Sequence, residues 1–343
     1  MKVFHTLFFC FLMIIISCSS PKKREPYGGQ HGQDNQYPLV GDYFGFKADE
    51  QVKVFAPGVI SRGFQELNAA FSPNKKEFFF TIADPLRDYY TIIQYEKKKG
   101  VWEGPTIAPF SGKYSDADPF FSPDGKRLYF ISRRPSDPAD IEPEDFDIWY
   151  VDKKDGKWSA ALNVGAPINT KKNEFYVSVS KNNNIYFSAA YDHGHGRGDI
   201  YKAVFQNGTY KVVNMGDAIN SPLNEGDPYI SPEEDFLIFT SWGRTDGMGR
   251  GDLYISFFMD GKWTKAVNMG PEINSEDMEY CPIISPDGEY FFFTSYRKNR
   301  FYSFKKKTYD NYIKRLSTYD NGLGNIYWVD SDFIWAIRNG LPD

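Results

Sequence analysis

The stretch Glu279–Arg297, EYCPIISPDGEYFFFTSYR, contains the unit from which the chain is built. A short apolar segment runs from Tyr280 to Ile284 and leads into Ser285-Pro286-Asp287-Gly288. Proline suits the second position of a type I turn, and glycine suits the fourth. An aromatic segment, Glu289 to Ser295, follows the turn. This order of strand, turn and strand predicts a β-hairpin.

The hairpin pattern occurs five times. The turn serines are Ser72, Ser122, Ser180, Ser231 and Ser285, at spacings of 50, 58, 51 and 54 residues. A third apolar segment follows each hairpin, beginning at Thr91, Asp147, Asp199, Asp252 and Asn325. In the first four copies, a fourth segment opens on an aromatic residue eleven positions later. Four antiparallel strands at this period form one blade of a propeller. The sequence therefore predicts an all-β protein with five four-stranded blades.

The fifth copy lacks a fourth strand of its own. The segment after it, FIWAIRNGLPD, favours a short terminal helix instead. Ahead of the first hairpin, Ala56-Pro57 matches Ala108-Pro109 and Ala166-Pro167, which follow fourth strands elsewhere. We therefore expect residues from about 50 to 56 to supply the outer strand of the last blade, which closes the ring and removes an exposed edge. The predicted propeller domain covers residues 41–335, and residues 336–343 form a C-terminal tail.

The repeated Ser-Pro-Asp-Gly turn, the Tyr-Phe-rich second strand and the Asp-Ile-Tyr third strand resemble the WD-like β-propeller repeat of the TolB type. This repeat occurs in many envelope proteins of Gram-negative bacteria, and the resemblance covers residues 50–330. It implies the fold but leaves the function open, because propellers serve as binders, scaffolds and enzymes. Copy three departs from the pattern, with Lys181 and Asn182 in place of Pro-Asp, which changes the turn.

The first eighteen residues have the pattern of a secretion signal. Lys2 is followed by an apolar segment, Val3 to Ile16, which is too short to span a bilayer. The end of the segment, Ile15-Ile16-Ser17-Cys18, resembles a bacterial lipobox, in which the cysteine becomes lipidated. An ordinary cleaved signal with a chance cysteine is the alternative. We predict a signal peptide over 1–17, a lipid anchor at Cys18 and a flexible polar tether over 18–40.

These features predict a protein of the cell envelope, anchored by lipid to the outer membrane of a Gram-negative bacterium, on either its periplasmic or its surface side. The net charge of −5 argues against a nucleic-acid partner, which would require a basic face. Without Cys10 and Cys18, only Cys281 remains in the domain, so we expect no disulfide. Cys281 lies in an apolar strand and is interpreted as a small buried hydrophobic residue.

An acidic residue stands six positions before every turn serine. The five residues are Glu66, Asp116, Glu174, Glu225 and Glu279. Because the first strand of each blade lines the channel of a propeller, we expect these carboxylates around one mouth of that channel, with Asp118 and Asp227 beside them. They form a site for a cation or a cationic ligand, a set of carboxylates for sugar chemistry, or a structural set that accepts backbone N–H groups or pairs with basic residues.

Three arginines follow the second strands at matching distances. Arg134, Arg244 and Arg297 lie twelve, thirteen and twelve residues after their turn serines, whereas copies one and three have Asp84 and Asp192 at offset twelve. These arginines are expected on the face that carries the acidic residues, where an arginine can hold a carboxylate through two hydrogen bonds. We count them as candidate ligand-binding residues together with the seven acids.

The chain offers no further recognisable chemistry. His193 and His195 form a His-x-His pair, but no third ligand stands at a zinc spacing, so we predict neither a metal nor a cofactor. No nucleophile elbow or phosphate-binding loop is present. We expect a non-catalytic module that binds an envelope protein, a peptide or a glycan through its loop-bearing face. The alternatives are a glycosidase-like enzyme using channel-mouth carboxylates and a structural scaffold of an envelope complex.

Overall fold

The computed structural model describes residues 38–136, 145–298, 308–319 and 321–341. Five antiparallel sheets follow one another around a ring, and each contains the predicted hairpin. The prediction of a five-bladed β-propeller is therefore confirmed. Among the described residues, no helix is both long and apolar enough to cross a membrane. The predicted signal peptide, Cys18 and all but the last residues of the tether lie outside the described part of the chain.

The blades are numbered in the order of their hairpins. Blade 1 consists of Gln65–Phe71, Glu77–Ala83, Tyr90–Lys98 and Val101–Ile107. Blade 2 consists of Asp116–Phe121, Arg127–Ser132, Asp147–Lys154, Lys157–Trp158 and Leu162–Asn163. Blade 3 consists of Glu174–Val179, Ile185–Ala189, Asp199–Gln206 and Thr209–Asn214. Blade 4 consists of Asn224–Ile230, Phe236–Trp242, Asp252–Met259, Lys262–Trp263 and Val267–Asn268. Blade 5 consists of Glu279–Ile284, Tyr290–Ser295, Asn325–Asp330 and Lys53–Val54.

The fourth strands of blades 2 and 4 are each broken into two short pieces. At each break a hydroxyl side chain accepts the hydrogen bond of a third-strand N–H: Ser159 accepts from Asp152, and Thr264 accepts from Phe257. These hydroxyl groups replace a carbonyl of the ladder, so the strand bends while the polar backbone stays paired.

The N-terminal strand closes the ring as the sequence predicts. Lys53 and Val54 pair with Trp328 and Tyr327 of blade 5. Phe55 follows and is fully buried, with ring contacts to blade 1 and to blade 5. The two ends of the propeller thus share one aromatic core and leave no unpaired sheet edge at the junction.

The segment just before the closing strand contacts the first and the last blade on the face of the propeller that carries the hairpin turns. It contains a short 3-10 helix, Asp42–Gly45. Tyr43 donates a 2.7 Å hydrogen bond to Oδ1 of Asp287 in the last turn, and Asp42 forms an ion pair of 2.8 Å with Lys75 in the first turn. The N-terminal segment therefore reaches the propeller on the hairpin-turn face.

In the described ranges, two α-helices lie outside the blades. Helix α1, Tyr309–Leu316, falls in the connection between the second and third strands of blade 5, and Thr308 caps its first turn. Helix α2, Phe333–Asn339, follows the last strand and places Ile334 in the core. The terminal helix expected from the sequence is confirmed, and it extends from residue 333 across the expected start of the tail.

Candidate functional site

The five acidic residues at the starts of the first strands are buried. Their relative exposures are 0% for Glu66, Asp116, Glu174 and Glu279 and 1% for Glu225. They sit inside the connections that enter each blade, so the structure does not gather them into an open ring around the channel. Of the five, only Glu225 reaches the wall of the cavity described below.

In blades 2, 4 and 5 the acid is held by two serines and an arginine of the same blade. Glu225 accepts hydrogen bonds from Ser221 Oγ at 2.7 Å, Ser241 Oγ at 2.8 Å and Arg244 Nη2 at 3.0 Å. The equivalent sets are Asp116 with Ser111, Ser132 and Arg134, and Glu279 with Ser275, Ser295 and Arg297. Each arginine also donates to a backbone carbonyl of the entering connection. These contacts make the acid and the arginine a clasp that fixes the start of the blade.

Blades 1 and 3 lack that arginine, and burial raises the pKa of the acid in each of them. Glu174 accepts from Thr170 Oγ1 at 2.8 Å and from the hydroxyl of Tyr191 at 3.1 Å, and burial raises its pKa to about 7. Glu66 accepts two backbone N–H groups through Oε1, whereas its buried Oε2 has no partner among the described residues. Burial raises the pKa of Glu66 to about 8.

A second repeated pattern runs through the connections that enter three of the blades. The segments before blades 3, 4 and 5 read LNVGAPIN, VNMGDAIN and VNMGPEIN, each followed by a threonine or serine that caps the acid. In the middle copy, Asn220 Nδ2 donates to Asn214 Oδ1 at 2.8 Å, and Asn220 Oδ1 accepts from the N–H of Ile200. In these three blades the asparagines, the hydroxyl group and the acid together satisfy polar backbone groups of the connection, which gives the acid a structural role there.

The residues that do project towards the axis stand two positions after each acid. There the first strand of every blade has a register shift against the second strand. The five residues are Asn68, Asp118, Tyr176, Asp227 and Cys281, and their φ angles of 58°, 54°, 46°, 51° and 51° are all in the left-handed region. Bulges of this kind redirect side chains and carry strain that is typical of functional sites. We call these five the axial residues.

Contacts between blades link the axial residues. The backbone N–H of Cys281 donates to Oδ2 of Asp227 at 3.3 Å, and its Sγ lies 3.9 Å from Oδ1 of Asp118. Carboxyl groups of blades 2 and 4 thus meet at a residue of blade 5. Cys281 is 2% exposed and is the free cysteine of the described chain, as the sequence predicts.

A cavity of about 1120 Å³, here called the axial chamber, adjoins the axial residues. Asp118, Asp227 and Cys281 belong to its lining, and Arg87 and aromatic side chains surround them. The aromatic residues are Tyr90, Phe146, Phe175, Trp242 and Tyr280. The chamber opens on the face that carries the connections into the first strands, which is opposite to the hairpin turns.

Tyr176 separates the axial chamber from a second cavity. Its hydroxyl crosses from blade 3 to blade 5 and donates a 2.6 Å hydrogen bond to the carbonyl of Pro282. Cys281 lines the chamber, whereas Ile283, two residues further along the strand, lines a pocket of about 470 Å³. This lower pocket is bounded by hairpin-turn residues and by Trp335 of α2. The channel is therefore divided into a polar chamber and a more apolar pocket.

The two carboxyl groups of the axial chamber, those of Asp118 and Asp227, have raised pKa values. Burial raises the pKa of Asp118 to about 7, and the charge of Asp227 contributes to that rise. Burial also raises the pKa of Asp227 to about 6. The cation of Arg87 opposes both shifts. Near neutral pH the pair therefore holds part of its protons, and one carboxyl can donate a hydrogen bond while the other accepts one.

Other polar groups near the pair have unused hydrogen-bonding capacity. The guanidinium carbon of Arg87 lies 5.4 Å from the ring centroid of Tyr280 and 5.9 Å from that of Tyr296. Within the described chain, no partner is found for Arg87 Nε, the hydroxyl of Tyr280 or the buried Oδ1 of Asn68. These atoms are shielded from solvent, so the groups that the chamber offers to a ligand are the carboxyl groups of Asp118 and Asp227 and the side chain of Arg87, beside aromatic faces.

Of the residues predicted from the sequence, the structure brings Asp118 and Asp227 together in the axial chamber, with Glu225 and Arg134 in its wall. Asp116, Glu279, Arg244 and Arg297 lie in the clasps, whereas Glu66 and Glu174 lie at the same places in blades 1 and 3 without an arginine. Sequence reasoning missed Arg87, Asn68, Tyr280, Trp242 and the axial place of Cys281. A count of two residues beyond each acid would have located the axial set.

The two histidines of the Gly-rich loop have separate neighbours. His193 stacks on Tyr191 with ring centroids 5.6 Å apart, and His195 Nε2 lies 2.7 Å from Oδ1 of Asp217. In the described part of the chain, no three His, Cys, Asp or Glu side chains are grouped as metal ligands.

Solved structures that resemble this one include several hydrolases. An α-L-arabinofuranosidase from Lactobacillus brevis matches with a TM-score of 0.46 and 13% identity over 78% of this chain and 90% of that chain. An endo-arabinase from Bacteroides thetaiotaomicron matches with a TM-score of 0.42 and 14% identity over 73% and 92%. A prolyl endopeptidase matches with a TM-score of 0.37 and 14% identity, and this chain spans only 30% of its length.

No protein-family profile matches the sequence, and no curated protein matches it. The chemistry of the site therefore rests on its own geometry.

Proposed function

We propose that this protein is a glycan-binding β-propeller whose axial chamber holds the ligand without transforming it. The observation that carries the proposal is the convergence, in one open cavity of about 1120 Å³, of a carboxyl pair, the side chain of Arg87 and aromatic faces. Ligand sites are typically concave, with a few polar groups placed among apolar and aromatic side chains.

A saccharide suits this lining because each hydroxyl group donates one hydrogen bond and accepts others. Asp118 and Asp227 supply both a donor and acceptors near neutral pH, and Arg87 supplies further donors. Trp242 offers an apolar face for a sugar ring. A Cβ at Gly226 would lie 3.1 Å from the indole ring, so the glycine lets Trp242 pack directly against the strand that carries Asp227.

We also propose that the protein is anchored by lipid at Cys18 in the cell envelope and reaches its ligand on a tether over residues 18–40. The support is the Ile-Ile-Ser-Cys sequence after an apolar segment and the polar composition that follows it. Metabolic labelling with a fatty acid should mark the wild-type protein and leave Cys18→Ala unlabelled. Equal labelling of both proteins would exclude this anchor.

A glycan array probed with the purified protein tests the binding function. Bound glycans should lose at least about tenfold in signal in Asp118→Asn combined with Asp227→Asn, because each change removes a proton-accepting carboxyl group. Glu233→Gln is the matched control, since this exposed acid lies on a hairpin turn at the opposite face. A blank array, or signals that survive the double variant, would overturn the proposal.

Hydrolysis of a glycosidic bond is a second candidate, and the unequal pKa values of about 7 and 6 in one cavity favour it. Asp118 would protonate the leaving oxygen while Asp227 takes a proton from the attacking water. Product release from a bound glycan should then disappear in either Asn variant while binding persists. Absence of turnover on every glycan that binds would leave the binding function alone.

A further inference from the structure

We infer that the glycan is an acidic oligosaccharide, which extends from the axial chamber over the rim of blade 3 and places an anionic sugar on a basic, aromatic side pocket. This inference rests on the proposed glycan binding in the chamber. It specifies the class of glycan and adds a second binding region to the first.

The side pocket and the axial chamber share two lining residues. The side pocket has a volume of about 630 Å³ and lies on the outer part of blade 3. Lys171 and Lys172 line both the pocket and the chamber. The loop that carries them is the connection into blade 3, so a ligand that leaves the chamber over this loop reaches the pocket directly. A monosaccharide fills either the axial chamber or the side pocket, whereas an oligosaccharide can occupy both.

An aromatic platform in the side pocket is held in a fixed orientation. The hydroxyl of Tyr191 donates to the carbonyl of Ile168 at 2.9 Å and to Glu174 at 3.1 Å. The imidazole of His193 stacks on the ring of Tyr191 at an angle of 24°. Tyr210 lines the pocket beside these rings. Aromatic faces that are oriented before binding offer a stacking surface for a sugar ring at low entropic cost.

The charge of the side pocket selects an anion. Its lining contains Lys171, Lys172 and Lys211 and one acid, Asp192. Lys172 pairs with Asp192 at 3.0 Å, but both side chains are well exposed, so the pair is weak and can be exchanged for a ligand. Lys171 and Lys211 form no ion pair with any acid that the structure describes. Carboxylate or sulfate groups of a sugar chain are the anions that fit this surface.

Isothermal titration with oligogalacturonate hexamers tests the inference. The free-acid hexamer should bind at least about tenfold more tightly than the same hexamer with methyl-esterified carboxylates, and added salt should narrow this difference in affinity.

Protein variants locate the site that recognises the carboxylates. The triple variant Lys171→Ala, Lys172→Ala, Lys211→Ala should abolish the difference in affinity between the two hexamers. Lys98→Ala, Lys126→Ala, Lys157→Ala removes the same charge from exposed positions elsewhere and should preserve it. A free-acid dimer, which is too short to span both spaces, should be insensitive to the triple variant.

The outcomes separate this inference from the glycan-binding proposal. Equal affinities for the free-acid and esterified hexamers, or failure of both to bind while other glycans on the array do bind, would overturn the acidic-ligand inference alone. Tighter binding of a hexaglutamate peptide than of the free-acid hexamer would also overturn it. A blank glycan array together with no binding in the calorimeter would overturn both proposals.

Discussion

Tyr176 of blade 3 donates a 2.6 Å hydrogen bond to the backbone carbonyl of Pro282 in blade 5, across the axis of the propeller. The bond joins two blades that are not neighbours in the chain, and both groups are shielded from water. The left-handed backbone of Tyr176, with φ of 46°, is what turns the side chain inward. This contact closes the floor of the axial chamber and ties the ring together at its centre.

Tyr176→Phe should lower the free energy of unfolding by about 1–2 kcal/mol, because the carbonyl of Pro282 loses its donor in a buried setting. Denaturant titration measures the change. Tyr309→Phe is the control, since Tyr309 is 77% exposed on α1. Equal stability of the two variants would mean that the hydrogen bond across the axis contributes nothing measurable.

Glu279→Gln and Glu66→Gln should have opposite consequences although both acids start a first strand. Glu279 faces Arg297 and two serines, so its neutralisation removes the charged partner of a half-buried cation and should cost about 1.5–3 kcal/mol. Glu66 has no arginine at this place, and its pKa of about 8 keeps it protonated at pH 7. Glu66→Gln should therefore raise the free energy of unfolding in a denaturant titration at that pH, because the variant folds without taking up the proton that the unfolded chain has lost. A loss as large as that of Glu279→Gln would contradict the assignment.

The stability of the protein should fall as the pH rises from about 5 to about 8. Burial raises the pKa of Glu66 to about 8, of Glu174 and Asp118 to about 7 and of Asp227 to about 6. The folded protein therefore binds these protons more tightly than the unfolded chain, whose carboxyl groups titrate near pH 4. Stability from these groups is complete below that pH and is lost as the pH rises through the folded values. Thermal melting at pH 5 and pH 8 measures the difference, and Glu66→Gln should reduce it. A higher melting temperature at pH 8 would contradict the prediction.

Phe55→Ala should open the junction between the first and last blades. Phe55 is fully buried, and its ring lies 5.8 Å from Phe78, 5.1 Å from Phe292 and 5.0 Å from Trp328. Removal of a buried phenylalanine side chain costs about 3–5 kcal/mol. Denaturant unfolding monitored by tryptophan fluorescence should show that loss, whereas Phe64→Ala, at a position that is 58% exposed, should show little. Similar effects of the two variants would argue against a shared core at the closure.

The blades could be predicted from the sequence because their signal is local. A turn such as Ser285–Gly288 and the alternation around it fix a hairpin, and the missing fourth strand of the last copy points to the N-terminal segment. The recurrence of acids such as Glu279 was visible as well. The burial of these acids could not be predicted, because their serine and arginine partners lie in connections whose paths depend on the assembled blade.

Asp118 and Asp227 could be predicted beside the acids, but the full axial set could not be recognised by residue type, because the bulge that turns these residues inward leaves no common residue type. Positions equivalent to Asp118 hold asparagine, tyrosine, aspartate and cysteine in the other blades. A register shift moves a side chain from one face of a strand to the other without changing the apolar pattern around it. Arg87 was missed for another reason. It lies in a loop of blade 1, and only the folded chain brings it close to Tyr280 of blade 5.

Arg87→Gln should raise the pKa values of Asp118 and Asp227 further. The guanidinium group is the cation that opposes the effect of burial on both carboxyl groups, and it is held near them by the rings of Tyr280 and Tyr296. Without it, the charged forms lose their favourable partner while burial is unchanged, so protons leave at higher pH. Carbon-13 NMR titration of the side-chain carboxyl groups measures this shift. Arg127→Gln is the matched control, because Arg127 pairs with Asp152 at the outer part of blade 2. Titration curves of the axial pair that are identical in wild type and Arg87→Gln would show that Arg87 does not act on the pair, and would remove it from the ligand-contacting set of the chamber.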